Sequence, residues 1–459
     1  MKYRPLNSLR ILTAALGAAL GLVAYQAQAQ NQYFDVNGAT SGYGTANGGS
    51  YSWDANNWGV SGGAGATTAW TAGTFARFYG ANNYTVTVNN DESVAGLYQN
   101  GGSGHTLTIN AAGVGDLNIV NGDQGFLAGS GTTLIINAPI VGSGGLAPEL
   151  SGTIYLNGNN SYSGGTTWGY SGTPLVYFNN NNAFGTGPIK NTFTTASVAP
   201  MLSYGGTVGT PLTITLNNAF QITGSTTAPG AGFNFANGSY TPLVLNGDFT
   251  LGANSTLIKN NGDSTAPLTL NGNLNSTGVL TLAGNNGGTI ILNGANAGLT
   301  GTVAIGASGG QANVRVVMAT KNTLASATML TLAGGTLDPA GLHQTMGLTT
   351  LGLTDNSTID YGAGAAELDL ANSAGVAWTS GKALNLANWT VGDALRFGTD
   401  STGLTTAQLA EIESNGNAAS LGTATLDPNG FVVFVPEPSS AALGLLGVLG
   451  AWIARRKKG

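Results

Sequence analysis

Three close acidic pairs and two histidines are the residues whose types could do chemistry in this chain: Asp91-Glu92, Glu367/Asp369, Glu411/Glu413, His105 and His343. In Glu367-Leu368-Asp369 the two-residue spacing puts both carboxylates on one face of a strand. There they could hold Ca²⁺, or divide acid and base work as in glycoside hydrolysis. A solvated strand face would carry the same two residues with no ligand at all. His105 opens an alternating run and His343 follows Pro339-Ala340-Gly341, so both are expected at the surface, with no H-E-x-x-H or H-x-H spacing to join them. Gly101-Gly102-Ser103-Gly104 lacks the Lys-Ser/Thr of a phosphate loop and opens no helix. The Ca²⁺-binding nonapeptide G-G-x-G-x-D is absent. Cysteine is absent too, which removes disulfides, zinc–thiolate centres and thiol nucleophiles. From these residues no catalytic site, no cofactor and no metal is expected.

The elements that would position such groups are written in the composition. Only 7% of the 459 residues are charged, against 42% hydrophobic and 74 glycines. The hydrophobic residues come in short alternating runs, which argues against charge-driven disorder. Seven of the 14 basic residues lie at the two ends, leaving the body with seven basic and 19 acidic residues, a balance of −12. Such a body offers no cationic patch for nucleic acid.

Strands are expected at Tyr84–Val88, His105–Asn110, Leu117–Val120, Thr132–Asn137, Gly152–Leu156, Pro174–Phe178, Pro211–Leu216, Pro242–Leu245, Ser255–Lys259, Pro267–Leu270, Val279–Leu282, Thr289–Leu292, Val314–Met318 and Met329–Leu332. Thr106-Leu107-Thr108-Ile109 and Leu212-Thr213-Ile214-Thr215-Leu216 alternate strictly. Three strands end in Asn-Gly, at Asn246, Asn271 and Asn293. Units of about 10–12 residues, pairing into coils of about 20–25, fit a solenoid. Its corners want positive φ or stacked asparagines. The expected fold is all-β: a right-handed parallel β-helix over 84–350 of roughly 12 coils. An aromatic, Gly-rich N-terminal cap over 30–83 and a β-rich C-terminal cap over 351–434 would close it. The aromatic residues Tyr33, Phe34, Tyr51, Trp53, Trp58, Trp70 and Phe78 would serve that first cap, or alternatively the Trp and Tyr among them, if exposed, would stack on sugar rings. Thr405 or Thr406 can N-cap a short helix carrying Leu409 and Ile412.

Leu156-Asn157-Gly158-Asn159-Asn160-Ser161-Tyr162-Ser163-Gly164-Gly165-Thr166-Thr167, then a strand, then Asn182-Ala183-Phe184-Gly185-Thr186-Gly187, resembles the autotransporter-associated β-strand repeat. A weaker copy starts at Leu292-Asn293-Gly294-Ala295-Asn296 and lacks the Tyr and the double Gly. The resemblance implies an exported repeat architecture and no particular reaction.

The ends carry an address. Lys2, Arg4 and Arg10, an apolar Ile11–Ala24 and small residues at Ala27 and Ala29 read as a signal peptide, 1–29, cleaved after Ala29. At 435–459, Pro436-Glu437-Pro438, the apolar Ala441–Ala454 and the basic Arg455-Arg456-Lys457-Lys458 resemble the PEP-CTERM sorting signal. That resemblance implies a single transmembrane helix oriented by its basic end. It also implies an exosortase-type processing enzyme as partner, and display on the envelope or in the matrix of a Gram-negative-type bacterium, with exopolysaccharide as a possible associate. A β-helix carbohydrate-active enzyme, a lyase or glycosidase, is the alternative. Such lyases generally use Lys/Arg bases with clustered acidic metal ligands, whereas the body has only seven basic residues, spread from Arg77 to Arg396 with no visible cluster.

Overall fold

A strand with every second residue apolar has one face to bury and one to leave in water, and here the buried faces are stacked coil upon coil. A computed structural model describes residues 30–44, 48–60, 63, 65–169, 172, 174–193, 201–204, 213–223, 231–236, 242–253, 256–262, 264–307, 312–414 and 421–436. They form a parallel β-solenoid. One ladder runs in register from Gly49–Ser52 through Tyr84–Val88, Thr106–Ala111, Thr133–Ile136, Thr153–Leu156 and Leu175–Phe178. It then continues coil by coil to Thr350–Asp355. About twelve strands of this ladder fall between 84 and 355, which at about 4.8 Å per coil makes a rod of about 60 Å. The stacking also passes the expected bounds, starting at Asn31–Phe34 against Thr74–Phe78 and ending at Ile412–Ser414.

Columns of like side chains fill the inside. Val86, Ile109, Ile136, Leu156 and Phe178 lie one above another, each at most 1% exposed. A second column holds Ile214, Leu243, Leu268, Ile290, Val316, Leu337, Ile359 and Leu386. Each such burial stabilises by about 1.5–3 kcal/mol before the entropy of ordering the chain is counted.

A further ladder completes the wall. It runs through Glu92–Gln99, Asp123–Ala128, Gly145–Leu150, Thr166–Trp168, Ile189–Asn191, Phe220–Ile222, Phe249–Gly252 and Leu274–Ser276. Alternation does not announce these strands. Some are only three residues long with a single inward apolar residue, as in Ile189–Asn191 and Leu274–Ser276, and Gly145–Leu150 buries four residues in a row without alternating.

The corners use asparagine as expected, and glycines such as Gly165 and Gly334 take the expected positive φ, but the glycines that follow asparagine act differently. Outside the wall, Asn137 donates to Asn110 (2.7 Å) and Asn157 to Asn137 (2.9 Å). Farther on, Asn246 donates to Asn217, Asn271 to Asn246 and Asn293 to Asn271, each at 2.8 Å. Gly158, Gly247, Gly272 and Gly294 do not take positive φ. They are needed because the coil beneath is too close. A Cβ on Gly272 would lie 2.0 Å from the Gly247 carbonyl oxygen, and one on Gly247 would lie 2.0 Å from that of Asn218. The motif asparagines Asn160 and Asn296 turn inward instead. Their Oδ1 atoms accept from Ile140 N (2.8 Å) and Leu274 N (2.7 Å).

Both ends are covered. At the first coil Trp53, Trp58, Phe34 and Phe78 are at most 1% exposed, and Trp58–Gly59 pairs antiparallel with the open edge of Asn31–Phe34. The tryptophans Trp53 and Trp58 therefore present no face to a sugar. At the last coil an antiparallel hairpin, Thr423–Leu426 with Val432–Val435, sits over the strand Ala394–Phe397 through Phe397 N to Gly430 O (2.9 Å). The expected short helix is Thr406–Ala410, capped by Thr405 in a capping box with Gln408. Leu409 packs against the core, but Ile412 has passed into the next strand.

The expected signal helix over 1–29, with Ala27 and Ala29, lies outside the described residues, as does the C-terminal helix. Among the described residues no helix is long and apolar enough to cross a membrane.

Candidate functional site

Three parallel strands near the C-terminal end, His343–Met346, Glu367–Leu370 and Ala394–Phe397, bring together four groups that are distant in sequence. Register places His343 beside Glu367, and Asp369 between Thr345 and Arg396. Gln344, Met346, Leu368, Leu370, Leu395 and Phe397 point inward, so the ionisable side chains share the outer face. The expected one-face placement of Glu367 and Asp369 is observed. His343 is exposed, as expected, but it is not isolated. Its Nδ1 lies 3.4 Å from Glu367 Oε2 and its Nε2 lies 3.1 Å from Asp369 Oδ2.

Arg396 closes the group. Its Nε donates to Asp369 Oδ1 at 2.8 Å and its Nη2 to Oδ2 at 2.5 Å, and its guanidinium lies 5.4 Å from the centre of the Phe431 ring. Asp369 is only 3% exposed. Burial pushes its carboxyl up, but the hydrogen bonds from Arg396 and His343 and the guanidinium charge outweigh that, leaving it below the ordinary value. Glu367 goes the other way. Burial raises it and the neighbouring Asp369 charge adds to the rise, against smaller lowering by His343 and Arg396.

His343, Glu367 and Asp369 offer three ligand atoms within 4.8 Å of one another. A histidine ligates a metal as a neutral imidazole, through a free nitrogen lone pair. Here both ring nitrogens already face carboxylates, and both Asp369 oxygens are held by a bidentate guanidinium. Glycosidase work would need Asp369 to approach a sugar carbon or a water, and a side chain so buried and so tied is poorly placed for it. The arrangement suits an ion-pair clamp that locks the last coils to the capping hairpin. A second clamp lies just before it, where Arg315 reaches Asp338 and Asp360 at 2.5 Å each.

The other candidates do not converge. His105 Nδ1 turns back onto the Gly101 carbonyl oxygen at 2.5 Å. Glu411 Oε1 accepts from Gly381 N, while Glu413 lies beside Asn385. Glu92 faces Asp54. Burial, then the Asp54 charge, pushes the Glu92 carboxyl up to about 7. The folded protein therefore holds a proton that the unfolded chain releases, and stability falls as pH rises from the ordinary value of 4.5 through about 7. Glu92→Gln should raise stability at pH 8 by about 1 kcal/mol after allowance for solvent screening, and change nothing at pH 4. Urea melts at the two pH values check this, and an equal gain at both would contradict it.

Of the sorting motif, Pro436 is described and is exposed directly after the hairpin strand Val432–Val435. Glu437, Pro438, Arg455, Arg456, Lys457 and Lys458 lie outside the described residues. Compared with protein-family models, curated proteins and solved structures, the chain matches none of them.

Proposed function

We propose that the chain is an exported structural or adhesion protein of a Gram-negative-type cell envelope. In this reading a right-handed solenoid is displayed at the surface or in the matrix through the C-terminal tail and associates with exopolysaccharide. One observation supports it most. The order Pro436-Glu437-Pro438, apolar Ala441–Ala454, then Arg455-Arg456-Lys457-Lys458 follows immediately on the hairpin that covers the last coil. Pro436 is exposed directly after the hairpin that covers this end, so on this reading a tail that enters a bilayer would not need to open the core. The signal at 1–29 with Ala27 and Ala29 would start export. An exosortase-type enzyme would process the tail, and the basic cluster would hold its end on the cytoplasmic side.

The carbohydrate-active alternative has the His343, Glu367, Asp369 and Arg396 cluster in its favour. The engagement of both Asp369 oxygens by Arg396 weighs against it.

Deleting residues 436–459 should release a folded body into the medium. Neutralising Arg455, Arg456, Lys457 and Lys458 should weaken retention. Replacing Pro436 and Pro438 should leave an unprocessed form in the membrane fraction. Fractionation with an antibody to the body separates these results, and a tail deletion retained as firmly as the parent would overturn the proposal.

A further inference from the structure

The outer asparagine ladder has one gap, and a groove lies there. Asn110, Asn137 and Asn157 form an unbroken series, and Asn217, Asn246, Asn271 and Asn293 form another. Between them the amides leave the pattern. Asn179 follows the Leu156–Phe178 pair and so stands where the next rung would be, yet Asn157 Oδ1 is buried with no hydrogen-bond partner. Asn180 turns away to donate to the Asn157 carbonyl oxygen (2.9 Å), and Asn181 Oδ1 accepts from Thr215 N (2.9 Å). The result is a groove of about 410 Å³ lined, among the described residues, by Asn157, Asn159, Asn180, Asn181, Asn182 and Thr213.

Every lining group among these is polar and uncharged. Asn159 and Asn182 use one amide atom each on one another, at 2.8 Å, and among the described residues the Asn181 side chain is engaged through its Oδ1. Side-chain N–H donors on Asn159 and Asn181 and the Asn182 Oδ1 acceptor are left over for a ligand among the described residues. Beside the groove, Tyr155 and Tyr177 stack on adjacent coils with centroids 4.6 Å apart and planes at 12°. Ile154 and Leu156 are buried, so Tyr155 and Asn157 share the outer face, two residues or about 7 Å apart along the strand. Phenol rings offer an apolar surface with a polar tip, and asparagines supply paired donors and acceptors. Together they match a ligand with C–H faces and many hydroxyls.

We propose that this groove and the Tyr155/Tyr177 stack form a binding site for a neutral hexose polymer. An uncharged lining in a body of net charge −12 disfavours an acidic one. The inference deepens the matrix-association reading and rests on it for the source of the polymer.

The test titrates the full chain in detergent with tetra- to hexasaccharides of glucose, mannose and galactose, and with uronate oligomers of equal length. The expected result is binding of a neutral series, weakened about tenfold or more in Tyr155→Ala/Tyr177→Ala and in Thr213→Trp, which fills the groove from an exposed position. Tyr79→Ala, in the separate aromatic group with Tyr33, Tyr43 and Tyr98, should bind as the parent does. Circular dichroism melts confirm that each variant folds. The proposal is overturned if the parent binds no neutral oligosaccharide, if uronates bind better, or if a folded groove variant binds like the parent. Envelope retention of the parent and of the tail deletion is read separately, so failure of the site and failure of the display reading are distinguishable.

Discussion

Ile214→Asp should destabilise the protein by several kcal/mol, about 4, whereas Thr213→Asp should change stability by less than about 0.5 kcal/mol. The two residues are neighbours in sequence but face opposite ways. Ile214 is fully buried over Leu243, and Thr213 is exposed. A carboxylate at 214 would meet only the apolar column, and must either stay charged without a partner or bind a proton at a cost set by pH. Because each coil is held mainly by its neighbours, the damage should concentrate between 201–204 and 243–245. Hydrogen exchange should show lost protection there first. Equal shifts in the thermal melts of the two variants would mean that the inside and outside of this strand are reversed.

Arg396→Ala should cost about 3 kcal/mol at pH 7, since it leaves the buried Asp369 without its bidentate partner. The loss has a pH signature. In the parent the Asp369 carboxyl lies below its ordinary value, so its stabilising contribution is present above that value and disappears as pH falls through the lowered one. In the variant, burial without the guanidinium raises the carboxyl instead. The penalty is then full near neutrality and shrinks as acid supplies the proton. Arg396→Lys keeps the charge and loses the planar fork, so it should fall between the two. Urea unfolding at pH 7 and pH 4 checks this, and equal losses at both pH values would show that the missing contact is packing on Phe431 and not the ion pair.

What could be read from sequence follows the strength of the local signal. Thr106-Leu107-Thr108-Ile109 and Ile214-Thr215-Leu216 alternate so regularly that one wall of the solenoid, and its coil number, was legible. The wall through Gly145–Leu150 and Ile189–Asn191 was not, because Gly145–Leu150 buries four residues in a row without alternating, and the three-residue Ile189–Asn191 has one inward apolar side chain and looks like a loop. Its pairing comes from the coils above and below. The site shows the same limit. Glu367 and Asp369 are two residues apart and their shared face was visible. His343 and Arg396 stand 26 and 27 residues from Asp369, one coil away on either side. Local spacing cannot reveal such partners, but a search for opposite charges one coil apart would have found them, and would have found Arg315 with Asp338 at 23. Asparagine before glycine was read as a turn signal, whereas the glycine at 247 or 272 answers to crowding by a carbonyl oxygen one coil below.

The asparagine ladders give the rod an electrical direction. In the rungs of the two ladders the later residue donates to the earlier one: 137 to 110, 157 to 137, 246 to 217, 271 to 246 and 293 to 271. Amide dipoles set head to tail add along the axis, and each bond polarises the next. The N–H ends point toward the first coil and the open carbonyl oxygens toward the last, as backbone dipoles sum in a helix. Two rods meeting end to end with the same polarity would continue the vector, and two meeting tail to tail would oppose it. Chain direction is thereby carried outward from covalent connectivity into the field that a neighbouring molecule feels.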